Sequence, residues 1–255
     1  RGVPADRILA TGRSVEKIED LGVRVRHADY GNPDELRAAF AGAQKVLFVS
    51  GNEIGARVSQ HRNVVEAAQE AGVSLLAYTS IPQADTSDLI LAEEHRETER
   101  MIRDSGVPYV FLRNSWYLEN YDLRAAAEHG LYGAAGDARI SAAPRVEFAE
   151  AAAAALLAGE PGRVYELGGT GFTMAELAAA IGAATGREVT YTDLSPEKYA
   201  EFLIGVGLPE QAATVIADAD RGAAQGALFT GDRDLEMLLG RPVTPVSDAV
   251  RAALV

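Results

Sequence analysis

Residues 45–50, KVLFVS, form a near-continuous apolar run that ends in a small hydroxyl residue and Gly51. A strand with one face in water alternates apolar and polar side chains. A run without alternation is the pattern of a parallel strand covered on both faces. After a loop containing Gly51 and Gly55, a helical pattern runs from about Val58 to Ala71 and closes at Gly72. A second apolar strand pattern follows at residues 73–80, VSLLAYTS. Upstream, residues 7–13 (RILATGR) read as a strand, residues 15–21 as a short helix and residues 23–29 (VRVRHAD) as a strand. Asn32-Pro33-Asp34-Glu35 opens a helix ending near Gly42: an Asn cap, Pro at the first position, then two acids on the positive end of the dipole. Downstream come a charged helix at 89–104, closed by Gly106, and a strand at 109–114, YVFLRN. Strand and helix units of this length, repeated, predict an α/β fold: a Rossmann-type parallel sheet with right-handed crossovers.

The second half is less regular. Residues 130–143 carry a Gly/Ala loop, 145–158 read as a helix, 163–167 (RVYEL) as a strand and 189–194 as another. Thr173 with Glu176 forms a capping box, Ser195-Pro196-Glu197 opens a further helix, and the chain beyond Pro209 reads as mostly helical. Residues 167–173, LGGTGFT, imitate a dinucleotide fingerprint, with Asp193 about 20 residues on. A GxGxxG frame from Gly169 needs glycine where Met174 stands, so the segment is read as a tight turn before a capped helix. The expected organisation is a nucleotide-binding domain over 1–130, with 145–168 returning to it, and a smaller C-terminal α/β lobe from 131–144 and 169–255 on the substrate side.

The 255 residues suffice for such an arrangement, and 47% are hydrophobic, which suits a buried core. The net charge of −13 repels phosphate backbones, so nucleic acid is not an expected partner. The absence of cysteine excludes disulfides, a thiolate nucleophile and Cys-based metal sites, and fits a reducing cytoplasm. His27, His61, His95 and His129 are too dispersed to suggest a metal site. No apolar run approaches the ~20 residues of a membrane helix.

Ligands of an open parallel sheet bind beyond the carboxyl ends of its strands. That rule selects Arg13, Asp29, Ser50, Gly51, Tyr78, Thr79, Ser80 and Asn114. An acid near the end of a strand such as 7–13 suits the ribose 2′-hydroxyl of NAD, whereas an arginine suits the 2′-phosphate of NADP. None of the nine tyrosines has lysine four residues later, so the usual Tyr-x-x-x-Lys acid of short-chain dehydrogenases is absent. Beyond Asn114, the segment RNSWYLENY offers Trp116, Tyr117 and Tyr121 either as an aromatic wall for a planar ligand or as a core-facing helix.

Several stretches, in order and spacing, resemble the NmrA-like atypical short-chain dehydrogenases/reductases. They are 23–30 (VRVRHADY), 60–68 (QHRNVVEAA), 72–80 (GVSLLAYTS), 84–87 (ADTS), 94–99 (EHRETE), 112–121 (LRNSWYLENY), 133–137 (GAAGD) and 163–167. Within that family the pattern is most similar to the type 2 quinone reductases, with triphenylmethane dye reductases a near second. Such proteins open with a strand and a GATGxxG loop. No such motif precedes Arg7, so the resemblance implies that roughly one βα unit of ~20–30 residues is missing before Arg1. It also implies NADP(H) as cofactor, with Arg13 at the 2′-phosphate and Asp29 beside the adenine. Related members carry lysine or histidine at His95, which with Tyr78 and Tyr117 is a catalytic candidate. Trp116, Tyr117, Asn120, Gly133 and Gly136 are the candidate substrate residues. The implied activity is hydride transfer to a quinone, whose reduced oxyanion is a weak base and needs little acid assistance; water or His95 could deliver the proton. A dye reductase and a non-catalytic NADP(H)-sensing regulator stay open as alternatives, as does a homodimer.

Overall fold

A computed structural model describes residues 2–254. The chain divides into two compact units. The first comprises the residues up to Ser80, Glu94–Phe111 and Ala152–Val164; the second comprises Ile81–Glu93, Leu112–Ala151 and the residues from Tyr165 onward.

In the first unit, β1 (Leu9–Gly12) pairs in parallel with β2 (Arg24–His27), Leu9 opposite Arg24 and Gly12 opposite His27. β3 (Lys45–Phe48) pairs in parallel with β4 (Leu75–Ser80), Lys45 opposite Leu75 and Phe48 opposite Tyr78. The strand order continues as β3-β4-β5-β7 through β5 (Tyr109–Asn114) and β7 (Val164–Leu167), of which Tyr109–Phe111 and Val164 are counted in the first unit and the remaining residues in the second. All six residues of β4 are buried, as an unbroken apolar run predicts. β3 departs from that expectation: Val46 and Phe48 are buried, but Lys45 and Leu47 are exposed. Lys45 and Leu47 share the strand face that is open to water, and the Lys45 ammonium on that face donates to the carbonyls of Leu156 and Leu157, at 2.9 Å each, near a helix C-terminus.

The helix α1 (Pro33–Phe40) begins as the sequence predicts, the Asn32 side chain accepting from the Asp34 and Glu35 amides. α2 (Arg57–Glu70) ends at Gly72, which sits in the left-handed region at φ 63°. Leu36 and Phe40 of α1, Val64 and Val65 of α2, and Phe48, Leu76, Tyr78, Ile102 and Phe111 form one core. The short helix expected at 15–21 is instead two 3₁₀ turns, Val15–Lys17 and Glu19–Leu21. No residue of either turn is buried and neither turn has a side-chain cap, so packing and capping do not offset the cost of nucleating an α-helix here.

α3 (Ile90–Ser105) and α5 (Arg145–Ala158) each run along the chain from one unit into the other. The second unit contains α4 (Leu123–His129), β6 (Leu131–Gly133), α6 (Met174–Thr185), β8 (Tyr191–Asp193), α7 (Pro196–Gly205), α8 (Glu210–Ala224), α9 (Arg233–Leu239) and α10 (Val246–Leu254). The stretch 130–143 is not all loop, because β6 pairs in parallel with β8, Leu131 opposite Tyr191. That partner lies some sixty residues away, so local pattern could not reveal the strand. The core here joins Leu123, Leu131, Met174, Leu177, Ile181 and Val250.

The glycines of LGGTGFT serve close packing. A Cβ at Gly168 would collide with Thr230 Oγ1, one at Gly169 would lie 2.5 Å from the Ala142 carbonyl, and one at Gly171 would lie 2.6 Å from the Phe229 ring. The turn is filled by the protein itself, and the capping box follows it: the Glu176 amide donates to Thr173 Oγ1 at 3.1 Å, and the Thr173 amide to Glu176 Oε2 at 2.8 Å.

Candidate functional site

The carboxyl ends of β1 and β2 border a pocket of about 150 Å³ in the first unit, whose lining includes Gly12, Arg13, Asp29, Tyr30, Glu53 and Gln60. Pockets that enclose a whole small ligand hold roughly 300–1,000 Å³. This one has room for one end of a dinucleotide. Four sequence-selected residues have clear places around it. Arg13 and Asp29 line it, and Gly51 forms part of its wall. Ser50 stands next to that wall, its amide donating to Thr79 Oγ1 at 2.8 Å and tying the ends of β3 and β4 together. The Arg13 side chain is half exposed and forms an ion pair with Glu53. Asp29 accepts from the Gly31 amide at 2.7 Å. The Tyr30 hydroxyl donates to the Val49 carbonyl at 2.9 Å, and burial pushes its pKa up to about 12.

Behind the pocket lies a buried polar network that the sequence did not disclose. The Gly51 amide donates to His61 Nε2 at 2.9 Å, so His61 carries its proton on Nδ1 and donates it to Thr98 Oγ1, also at 2.9 Å. Thr98 passes its own proton to the Glu94 carbonyl. Arg57 Nε donates to the Gly51 carbonyl at 2.8 Å, and its guanidinium pairs with Glu94 at 3.3 Å. Both backbone groups of Gly51 are thus held by side chains of α2. Burial, helped by the Arg57 charge, lowers the His61 pKa to about 3.

His95 belongs to this interior. It is 6% exposed, its Nδ1 is hydrogen-bonded to the Tyr78 hydroxyl at 2.7 Å, and burial together with Arg57 and His61 pushes its pKa well below the ordinary value. Tyr78 is fully buried against Phe48, ring centroids 5.0 Å apart, and its pKa is raised by burial. The Ser80 hydroxyl donates to the buried Glu99 carboxylate at 2.7 Å. His95, Tyr78 and Ser80 are therefore internally engaged.

In the second unit, Asn114 Nδ2 donates to the Tyr117 hydroxyl at 3.0 Å, while the buried Asn114 Oδ1 has no hydrogen-bond partner among the described residues. Tyr117 packs edge-on to Phe148 at 5.2 Å, with the Arg145 guanidinium 5.3 Å from its ring centre. The Tyr117 hydroxyl accepts from Asn114 and has no acceptor for its own proton among the described residues. Trp116 and Tyr121 pack against the core around a 3₁₀ turn at Leu118–Asn120. Asn120 lines a separate groove of about 480 Å³ with Tyr121, Pro144 and Leu254.

Gly133 and Gly136 sit beside two acids, the buried Asp220 and the exposed Asp193. A Cβ on Gly133 would lie 2.7 Å from Asp220 Oδ2, and the Gly136 amide donates to Asp193 Oδ1 at 2.9 Å. Asp220 accepts from the Ala134 amide at 2.8 Å. Burial lifts its pKa to about 6, against the opposing pull of that hydrogen bond. The Tyr191 hydroxyl donates to Asp193 at 2.8 Å. The Tyr121 hydroxyl is buried without a hydrogen-bond partner among the described residues, and burial followed by the Asp220 charge raises its pKa.

Comparison with known proteins adds independent findings. The model of the NmrA-like family matches residues 7–237. The chain is 46% identical to quinone oxidoreductase 2 of Escherichia coli strain K12, over 97% of this chain and 90% of that protein. The crystal structure of an Escherichia coli NADPH-dependent quinone oxidoreductase complexed with NADPH superposes with a TM-score of 0.95 at 45% identity, covering 100% of this chain and 93% of that one. Triphenylmethane reductase of Citrobacter sp., complexed with NADP(H), superposes with a TM-score of 0.93 at 37% identity, covering 99% and 93%.

Proposed function

The chain belongs to the NmrA-like family, and from that membership we propose that it is an NADPH-dependent oxidoreductase acting on quinones. The observation that carries the reading is the pocket at the ends of β1 and β2, with an arginine at its mouth, in a chain so similar to a quinone oxidoreductase that binds NADPH. The donor set fits the adenosine end of NADPH. Arg13 offers a cation for the 2′-phosphate, and Asp29 an acceptor for the exocyclic amine. Bound NADPH would supply the hydride.

The chain's own contribution is binding, orientation and one hydrogen bond. His61, Arg57 and Glu94 fix the backbone at Gly51, so the pocket wall is set before a ligand arrives. Tyr117 is the residue we assign to the acceptor oxygen: its proton is uncommitted, and Asn114 holds the phenol in place. His95 is neutral at pH 7 and engaged with Tyr78, which supports a positioning role over that of proton donor. A quinone tolerates this arrangement because its reduced oxyanion is a weak base. Asn114 Oδ1 offers a further acceptor for a bound ligand.

The experiment is a side-by-side assay of NADPH oxidation with 1,4-benzoquinone and with a cationic triphenylmethane dye. Faster turnover of the quinone is expected; the net charge of −13 favours the cation only weakly. Preference for the dye would move the assignment to the dye reductases, and binding without turnover on either acceptor would point to a regulator. No helix among the described residues is long and apolar enough to cross a membrane. A cytoplasmic setting and a homodimer are part of the proposal, the second testable by sedimentation.

A further inference from the structure

Arg13 already has an anion. Glu53 Oε1 forms the ion pair with its guanidinium, and Gln60 Nε2 donates to Glu53 Oε2 at 2.7 Å. Glu53 stands on a turn closed by the Ala56 amide on the Glu53 carbonyl, and the Gly55 amide in that turn is fixed to Glu94 Oε1 at 2.9 Å. The carboxylate is therefore held over the pocket from two sides, by Gln60 on α2 and by the anchored turn, and all three side chains line the same pocket. We infer that Glu53 is a specificity-determining residue that competes with the nucleotide 2′-phosphate for Arg13 and so restrains the preference for NADPH over NADH. The inference rests on the assignment of this pocket to the adenosine end of the cofactor.

The chemistry is one of anion exchange. A phosphate dianion reaching Arg13 has to displace the Glu53 carboxylate or share the guanidinium with it, at the cost of like-charge repulsion. A ribose bearing only a 2′-hydroxyl has no such conflict, because a neutral hydroxyl can donate to Glu53 without removing it. Both partners are about half exposed, Arg13 at 53% and Glu53 at 41%, so water and salt screen the competition. The effect is accordingly modest and selective for the 2′-phosphate.

The test is equilibrium binding, independent of turnover, with 2′,5′-ADP and 5′-AMP as probes of the pocket and NADPH and NADH as whole ligands. Glu53→Gln removes the charge and keeps the shape. It is expected to tighten 2′,5′-ADP and NADPH by about three- to tenfold, with 5′-AMP and NADH changing by less than about twofold. The gain should shrink in 0.5 M salt. In an Arg13→Ala background the Glu53→Gln gain should shrink, because competition for the guanidinium is gone and only direct carboxylate–phosphate repulsion is left. Equal changes for all four ligands, a gain as large without Arg13 as with it, or weaker NADPH binding in Glu53→Gln would each overturn the inference. Failure of 2′,5′-ADP to compete with NADPH in the wild-type protein would instead remove the pocket assignment, and the quinone assay would still stand or fall separately.

Discussion

At the scale of single residues, the site divides into side chains that are committed and side chains that are available. The Tyr78 and Ser80 hydroxyls and His95 Nδ1 are engaged with interior partners, whereas the Tyr117 hydroxyl accepts a hydrogen bond from Asn114 and has no acceptor for its own proton among the described residues. Tyr117→Phe should therefore lower kcat with benzoquinone by roughly ten- to a hundredfold, about the value of one well-placed donor to developing charge, while the Kd for NADPH stays within about twofold. Steady-state kinetics and a fluorescence titration check the two halves; an unchanged kcat would return the role to solvent. Arg13 and Asp29 were legible in the sequence because a strand end is a local feature, and a rule about strand ends names the residue. Glu53, Gln60, Arg57 and Asp220 were not, since each acquires its meaning from a partner brought near by the fold: Glu53 from Arg13, 40 positions away, and Asp220 from Ala134, 86 positions away.

At the scale of elements, the same division between local and distant information explains what the sequence revealed of the fold. Asn32-Pro33, Gly72 and the Thr173–Glu176 box start or stop helices through atoms within a few residues, and all three do so in the structure. The strand β6 and the one-sided burial of β3 depend on neighbours far along the chain, and pattern reading missed the first and expected the second to be covered on both faces. The capping box gives a direct measurement. Thr173→Ala leaves the Glu176 amide without its acceptor at the N-terminus of α6, a helix whose Leu177 and Ile181 belong to the core of the second unit. A loss of about 1 kcal/mol in unfolding free energy is expected, with Thr173→Ser recovering most of it. The mimicry of a dinucleotide fingerprint just before this helix is likewise resolved at the element scale, because the three glycines are crowded by Ser141, Ala142, Phe229 and Thr230 and leave no space for a phosphate.

For the whole molecule, buried ionisable groups make stability depend on pH in two opposing ways. His61 has its pKa lowered to about 3 in the folded chain against an ordinary 6.5, and His95 is shifted in the same direction. The unfolded chain thus binds protons there that the folded chain refuses, so stability falls as pH drops below about 6.5, by up to about 1.4 kcal/mol per pH unit for each histidine. Asp220 acts the other way. Its folded pKa of about 6 exceeds the ordinary 3.8, so the folded chain binds the extra proton, and stability is lost as pH rises through that window. The two histidines outweigh the one carboxyl, which predicts acid lability with greatest stability near neutral pH. Asp220→Asn isolates the opposing term. The amide oxygen can still accept from the Ala134 amide, but the cost of ionising a buried carboxyl is gone, so the variant should be more stable than wild type by roughly 2–3 kcal/mol at pH 7.5 and equal to it near pH 4. The single tryptophan, Trp116, lies in the same unit as Asp220, so its fluorescence during urea unfolding reports on the unit that the substitution affects. A stability difference that does not vary between pH 4 and 7.5 would mean that Asp220 keeps an ordinary pKa and that the cluster around Gly133 admits more water than its packing indicates.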